Sequence, residues 1–164
     1  MPLTVGQTLP DVPLAAITDD GPEERSKDAL FAGKKVVLFG VPGAFTPTCN
    51  NNHLPGYVEH ADAIKAKGVD TIAVVSVNDV HVMKAWKKAS GAGEVVLFLA
   101  DGSAIWTKAA DMVLDGTDFG MGMRTKRFSA LIDNGVVKAI AIEDAPGKAD
   151  DSGAAAMLAM LDEQ

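Results

Sequence analysis

The sequence predicts an α/β protein with a mixed central β-sheet and helices on both faces. Two nearly continuous β-branched runs, residues 35–41 (KVVLFGV) and 71–77 (TIAVVSV), read as central strands covered on both sides. Between them Leu54, Tyr57, Val58, Ala61 and Ile64 recur at helical spacing, which makes a βαβ crossover. Farther on, Asp133-Asn134-Gly135 separates two more apolar runs, and an Asn-Gly step supplies the positive φ angles of a tight hairpin. The sheet therefore ends in an antiparallel pair. At 164 residues, with no long Gly/Ser linker and no repeat, the expectation is one domain over residues 1–164.

The elements follow in order. The crossover helix stops at Gly68, after the basic turn of Lys65 and Lys67. A second helix starts at the Asn78-Asp79 cap, buries Val82, Met83, Trp86 and Ala89, and breaks at Gly91 and Gly93. Residues 95–99 (VVLFL) form a third buried strand, and 128–132 and 136–142 flank the hairpin turn. An acidic, Gly- and Pro-containing loop over 143–153 leads to a closing helix over 154–161, with Met157, Leu158 and Leu161 inward. Trp86 and Trp106 are read as core. Gly120-Met121-Gly122 and Gly33-Lys34-Lys35 lack the spacing of nucleotide-binding loops and are read as turns.

Composition removes several function classes. With 48% hydrophobic and 23% charged residues the chain is no disordered polymer. Fifteen Lys and Arg against 22 Asp and Glu leave a net charge of −7, which repels a phosphate backbone, so nucleic acid is not an expected partner. No apolar run approaches the roughly 20 residues of a membrane span, and the opening MPLTVGQTLPDVPL lacks a signal-peptide pattern; a cytoplasmic location is the expectation. One cysteine, Cys49, permits neither an internal disulfide nor a multi-cysteine zinc site. His60 and His81 have no ligand-like spacing with His53, so no metal and no bound cofactor are expected.

The chemistry concentrates where the first central strand runs into Pro42-Gly43-Ala44-Phe45-Thr46-Pro47-Thr48-Cys49, since open α/β sheets place sites past the carboxyl ends of strands. Thr46 before Pro47 is a helix-start signal, the hydroxyl capping orphan N–H groups and proline taking the first helical position. Cys49 then falls in the first turn, where free N–H groups and the helix dipole favour a thiolate. Pro55 should kink or interrupt the helix one turn later. An isolated cysteine is more often a small buried hydrophobe. Here the neighbours Thr48, Asn50, Asn51, Asn52 and His53 are polar, and a reactive thiol is the better reading.

Ionisation alone does not make a powerful nucleophile. A thiol of pKa about 8.5 is only ~3% thiolate at pH 7, and lowering the pKa to about 6 raises that fraction some thirtyfold. A Brønsted slope near 0.4–0.5 takes back about tenfold of this. The rest must come from donors that orient the reacting bond and stabilise charge on the leaving atom, for which Thr46, first-turn N–H groups and an Arg are suitable. His53, four residues after Cys49, shares its face on a regular helix. A supporting hydrogen bond ranks above a Cys–His acyl-transfer pair, for which no orienting Asn or Asp is identifiable.

The string Pro42-x-x-x-Thr46-x-x-Cys49, within VPGAFTPTCNNNHLPGYVE, resembles the active-site signature of the peroxiredoxins of type II or type V. The likeness runs in order through GKKVVLFGVPGAFTPTC, HLPGYVEHADAIKAKGVDTIAVVSVND and RTKRFSALIDNGVVKAI, most of residues 30–142. It implies a thioredoxin-like fold and a thiol-dependent peroxidase that reduces hydrogen peroxide or alkyl hydroperoxides by attack of Cys49. By the same likeness Pro42 shields the pocket, Thr46 bonds to the peroxide or thiolate, and Arg127 completes the site from the strand of the hairpin, with Arg124 as assistant. Phe45 and Phe119 are expected at the pocket wall or a subunit contact, alongside Met121 and Met123, and a homodimer is implied. With no second cysteine, the sulfenic acid formed at Cys49 must be reset by an external thiol: glutathione or glutaredoxin first, thioredoxin second. The alternative is a redox-sensing or interaction module on the same fold, in which Cys49 oxidises without turnover.

Overall fold

The computed structural model describes residues 1–145, 147 and 149–164. A hairpin of β1 (Leu14–Thr18) and β2 (Gly21–Arg25) precedes the short helix α1 (Lys27–Phe31) and strand β3 (Lys35–Val41). A π-helical turn at Cys49–His53 then leads into α2 (Leu54–Glu59) and α3 (Ala61–Ala66). Next come β4 (Thr71–Ser76), α4 (Val80–Ser90), β5 (Leu97–Ala100) and α5 (Ile105–Ala109). A small hairpin, β6 (Val113–Gly116) with β7 (Gly122–Thr125), stands apart from the main sheet, and β8 (Phe128–Asp133), β9 (Val136–Ile142) and α6 (Ala154–Asp162) complete the chain.

The seven-stranded sheet has the order β2-β1-β5-β4-β3-β8-β9. Its centre, β3 with β4 and β4 with β5, is parallel, and the remaining pairings are antiparallel. The fold is thioredoxin-like, as expected: a mixed sheet with helices on both faces. The alternation of β3 shows why both faces are covered. Val37, Phe39 and Val41 pack with Leu54, Tyr57, Ile64, Trp86 and Met157 on one face. Val36 and Leu38 pack with Leu30, Phe31 and Trp106 on the other. A strand buried on both sides has no polar face to alternate with, hence its continuous apolar run.

Most local signals are realised where expected, though Ala89, expected inward on α4, is exposed. The Asp79 carboxylate accepts from the Val82 N–H at 2.9 Å and caps α4, which ends on Gly91 at φ 68°. Asn134 and Gly135 take φ 50° and 79° in the β8–β9 turn. The single helix expected over 54–67 is instead split at His60, whose φ of −96° and ψ of 8° leave the helical region, although Leu54, Tyr57, Ala61 and Ile64 still all face the core. Strand β5 begins at Leu97 rather than Val95, because the Val95 N–H closes a turn onto the Ala92 carbonyl at 3.1 Å. Leu158 is only half-buried, while Met157 and Leu161 are inward. The elements without a strong sequence pattern are the short ones: the β1–β2 pair, α1, α5 and the β6–β7 hairpin. Strand β2 reads GPEER, a polar segment with proline that is compatible only with a sheet edge, and it occupies that edge. The acidic loop over 143–153 includes two positions, 146 and 148, outside the described residues.

One glycine determines how the sheet meets the site. Gly40 in β3 pairs with Phe128 of β8, and a Cβ at Gly40 would lie 2.2 Å from a carbon of the Phe128 ring. The absent side chain gives the buried ring its place, and this register delivers the residue preceding Phe128, Arg127, to the carboxyl end of β3.

Candidate active site

Beyond Val41 the chain makes a tight turn before entering the helix. Pro42 is buried, and the Thr46 N–H and hydroxyl both donate to the Gly43 carbonyl, at 3.4 and 2.7 Å. Asn78, just past β4, accepts from the Ala44 N–H at 3.0 Å and from the Ser76 hydroxyl at 2.5 Å, pinning this loop to the neighbouring strand end. Phe45 sits at the apex with φ 63°, a costly conformation for a non-glycine residue, and points outward at 48% exposure. It therefore does not line the cavity described below. The helix starts at Pro47, and its first bond runs from the Asn50 N–H to the Thr46 carbonyl at 2.8 Å. The Thr46 hydroxyl, expected to accept from first-turn N–H groups, is seen donating to the Gly43 carbonyl.

Cys49 lies in the first turn, fully buried, with the free thiol facing inward. From it the helix widens. The Leu54 N–H bonds to the Cys49 carbonyl, one residue farther back than in an α-helix. Pro55 explains the widening: it has no N–H for the Asn51 carbonyl, and its ring would crowd that carbonyl in a regular turn. The interruption expected of Pro55 thus takes the form of a π turn on its N-terminal side. The Asn50 amide oxygen accepts from the Trp86 indole at 3.0 Å and anchors the turn to α4.

Arg127 reaches this turn from 78 positions away in sequence. It immediately precedes β8 rather than belonging to a strand of the hairpin as expected. Its Nη2 donates to Cys49 Sγ at 3.0 Å and its Nη1 to His53 Nδ1 at 2.9 Å. The side chain is 3% exposed. His53 is equally enclosed, its Nε2 lying 2.9 Å from the Ser152 carbonyl, which also accepts from the Tyr57 hydroxyl at 2.8 Å. A guanidinium can only donate, so Nδ1 is the acceptor and Nε2 carries the hydrogen. Burial pushes the His53 pKa down to about 3; the bond to Ser152 opposes this and the Arg127 charge reinforces it, leaving a neutral ring. The Tyr57 phenol is held well above its ordinary range, chiefly by burial. No Cys49–His53 acyl-transfer pair forms, because both ring nitrogens are already engaged and Arg127 stands between them.

Above this arrangement opens a cavity of about 300 Å³ whose lining includes Pro42, Thr46, Leu114, Met121, Arg124 and Arg127. Phe119 stands at its rim, 82% exposed. Arg124 shares the cavity but has a different job from Arg127. Its Nε donates to the Met121 carbonyl at 2.8 Å, and Nη1 lies 3.4 Å from the Pro42 and Val77 carbonyls, tying the β6–β7 hairpin to the loops after β3 and β4. Tyr57, Ser152, Glu143 and Asn78 have no sequence motif that would single them out. Tyr57 alone carries a faint signal, one further turn along the face of Cys49 and His53. Among the described residues no group of three His, Cys, Asp or Glu side chains converges as a metal site.

The sequence profile of the Redoxin family matches residues 4–158. The chain is 50% identical over 161 residues to Peroxiredoxin-2C of Oryza sativa subsp. japonica, covering 98% of this chain and 99% of that protein. It is 47% identical over 134 residues to Peroxiredoxin-2B of Arabidopsis thaliana, covering 81% and 83%. Among solved structures, reduced Prx3 from Vibrio vulnificus in complex with H₂O₂ superposes with a TM-score of 0.90 at 52% identity, covering 97% and 99% of the two chains.

Proposed function

The chain belongs to the Redoxin family, among its type II peroxiredoxins, and is accordingly a thiol-dependent peroxidase; we propose that Cys49 is the attacking sulfur and that it works by a one-cysteine cycle. The observation that carries the assignment is the 3.0 Å contact from Arg127 Nη2 to Cys49 Sγ beneath a cavity bordered by Pro42 and Thr46. Arg127 brings a permanent cation into direct contact with the sulfur that would attack. The thiolate attacks the terminal oxygen of a hydroperoxide, forming S–O as O–O breaks. Sulfur is oxidised by two electrons to the sulfenic acid, and the departing oxygen takes a proton to leave as water or an alcohol. In this reading Arg127 stabilises the charge on that oxygen, Thr46 orients the peroxide, and Pro42 shields the sulfur from bulk water.

The reset step needs a thiol from outside, because the chain has no second cysteine. Glutathione or glutaredoxin is the first reading and thioredoxin the second: one thiol condenses with the sulfenic acid, releasing water and leaving a mixed disulfide, and a second thiol displaces Cys49 reduced. We further propose a homodimer, supported by the exposed apolar side chains of Phe45, Met123 and, at the cavity rim, Phe119. Cys49→Ser tests the assignment: with a panel of the three reductants, wild type should consume many equivalents of peroxide and the variant none. Turnover surviving in the variant would overturn it.

A further inference from the structure

Cys49 faces two demands that conflict. Its sulfur is fully buried, yet the reset in the reading above needs contact with the sulfur of a second molecule, and a thiol-bearing tripeptide or protein is far larger than a peroxide. The turn that carries Cys49 must hold for one half of the cycle and yield for the other. Each residue flanking Cys49 is tied by its side chain, and the two ties differ. On one side the Thr48 hydroxyl donates to the Gly147 carbonyl at 3.1 Å in a solvent-exposed bond, which water can replace at little cost. On the other side the Asn50 amide accepts from the Trp86 indole at 3.0 Å.

We propose that Asn50 is a positioning residue for Cys49: its bond to the Trp86 indole holds the turn closed over the sulfur, and release of that bond admits the reducing thiol. The inference rests on the one-cysteine cycle given above. An indole N–H can only donate, so the Asn50 oxygen, not its nitrogen, faces Trp86. The donor cannot follow the turn outward. Trp86 is fully buried in α4, and its ring meets the Phe98 ring edge-on, with centroids 5.4 Å apart at 84°. Asn50, in contrast, is half-buried and borders a groove of about 340 Å³ with Pro55 and Ala89, so its amide passes to water as the turn moves.

With the turn closed, the Cys49 thiolate reacts with peroxide. With it open, the reducing thiolate attacks the sulfur of the sulfenic acid: S–S forms as S–O breaks, and the hydroxide lost takes up the thiol's proton and leaves as water. A minor open state of about 1% makes the second step far more sensitive to the tie than the first. A tenfold larger open fraction multiplies the reset rate by about ten, yet leaves about 90% of the protein closed for peroxide.

Asn50→Ala, Trp86→Phe and the double variant test this. Each protein is measured for three rate constants: the reduced form with hydrogen peroxide, the sulfenic acid with dithiothreitol, and the reduced thiol with iodoacetamide at pH 9. Dithiothreitol serves as a generic thiol, so the result does not depend on which reductant the cell supplies. For Asn50→Ala the dithiothreitol and iodoacetamide rates should rise about tenfold, while the peroxide rate falls by less than about twofold. Trp86→Phe should do the same, and the double variant should match either single one, because both substitutions remove one bond. A change that merely loosened the fold would slow the peroxide step and multiply in the double variant. A folded Asn50→Ala protein in which either the dithiothreitol or the iodoacetamide rate rises less than about threefold overturns the inference. So does a double variant faster than either single one by a further factor of about ten. Should Trp86→Phe not fold, Asn50→Ala, a change at the groove surface, decides alone. Peroxide turnover by Cys49→Ser would instead remove the assignment of Cys49, so the two failures are distinguishable.

Discussion

The Arg127 guanidinium grips Cys49 and His53 at once, Nη2 to Sγ at 3.0 Å and Nη1 to Nδ1 at 2.9 Å. Lysine would retain the charge but not the fork. Arg127→Lys is therefore expected to lower the peroxide rate constant by about 10²-fold, comparable with removing one oriented donor from an oxyanion site. Stopped-flow peroxide reduction at pH 7 checks this; a loss of less than about threefold would show that the charge alone is what the site requires.

His53 also gives the folded protein an acid limit. Its pKa falls from 6.5 when unfolded to about 3 when folded, so the native state resists a proton that the unfolded chain accepts. The stability tied to the neutral ring is complete above pH 6.5 and is lost as pH falls from there toward 3, by about 1.4 kcal/mol per pH unit at most. Urea unfolding across pH 4–8 should show this slope, and His53→Gln should flatten it. Tyr57 acts at the other end: its raised pKa contributes stability that is full below pH 10.0 and declines above it.

Gly40 supports the site from behind. An Ala Cβ there would lie 2.2 and 2.6 Å from two Phe128 ring carbons and 3.0 Å from Thr125 Cγ2, all in buried side chains with little room to retreat. Gly40→Ala should cost about 1–3 kcal/mol in urea unfolding and also slow peroxide reduction, because Arg127 is bonded to the displaced Phe128. Gly56→Ala is the comparison: its Cβ meets nothing within 4 Å in α2, so that variant should be stabilised by up to about 1 kcal/mol.

Phe119 is 82% exposed at the cavity rim. If it joins a subunit contact, Phe119→Asp should convert a species of twice the 17.1 kDa chain mass into monomer in sedimentation at micromolar concentration. Wild type sedimenting as monomer would remove the dimer.

How much of this was readable beforehand depended on the distance between cause and effect along the chain. Central strands, the α4 cap, the Asn-Gly hairpin and the closing helix are encoded by neighbouring residues, since caps, turns and periodic faces are local interactions. Pro55 signalled an interruption for the same reason, although a missing N–H does not say whether the helix kinks or widens. The β1–β2 pair and the β6–β7 hairpin were hidden because strands of four or five residues carry too few apolar positions to show a period.

By itself, the sequence pointed to one candidate nucleophile. A single cysteine, in the first helical turn after a buried strand and among polar neighbours, reads as a reactive thiol, and the proposed reset by an outside thiol follows from its solitude. Only the tertiary structure brought Arg127 rather than Arg124 to the Cys49 sulfur, turned the Thr46 hydroxyl toward Gly43, sent Phe45 outward and engaged both nitrogens of His53. Those outcomes depend on the register of β8 against β3 and on the loop before α6. Residues 78 and 99 positions apart meet there through side-chain reach and burial, which no local pattern records.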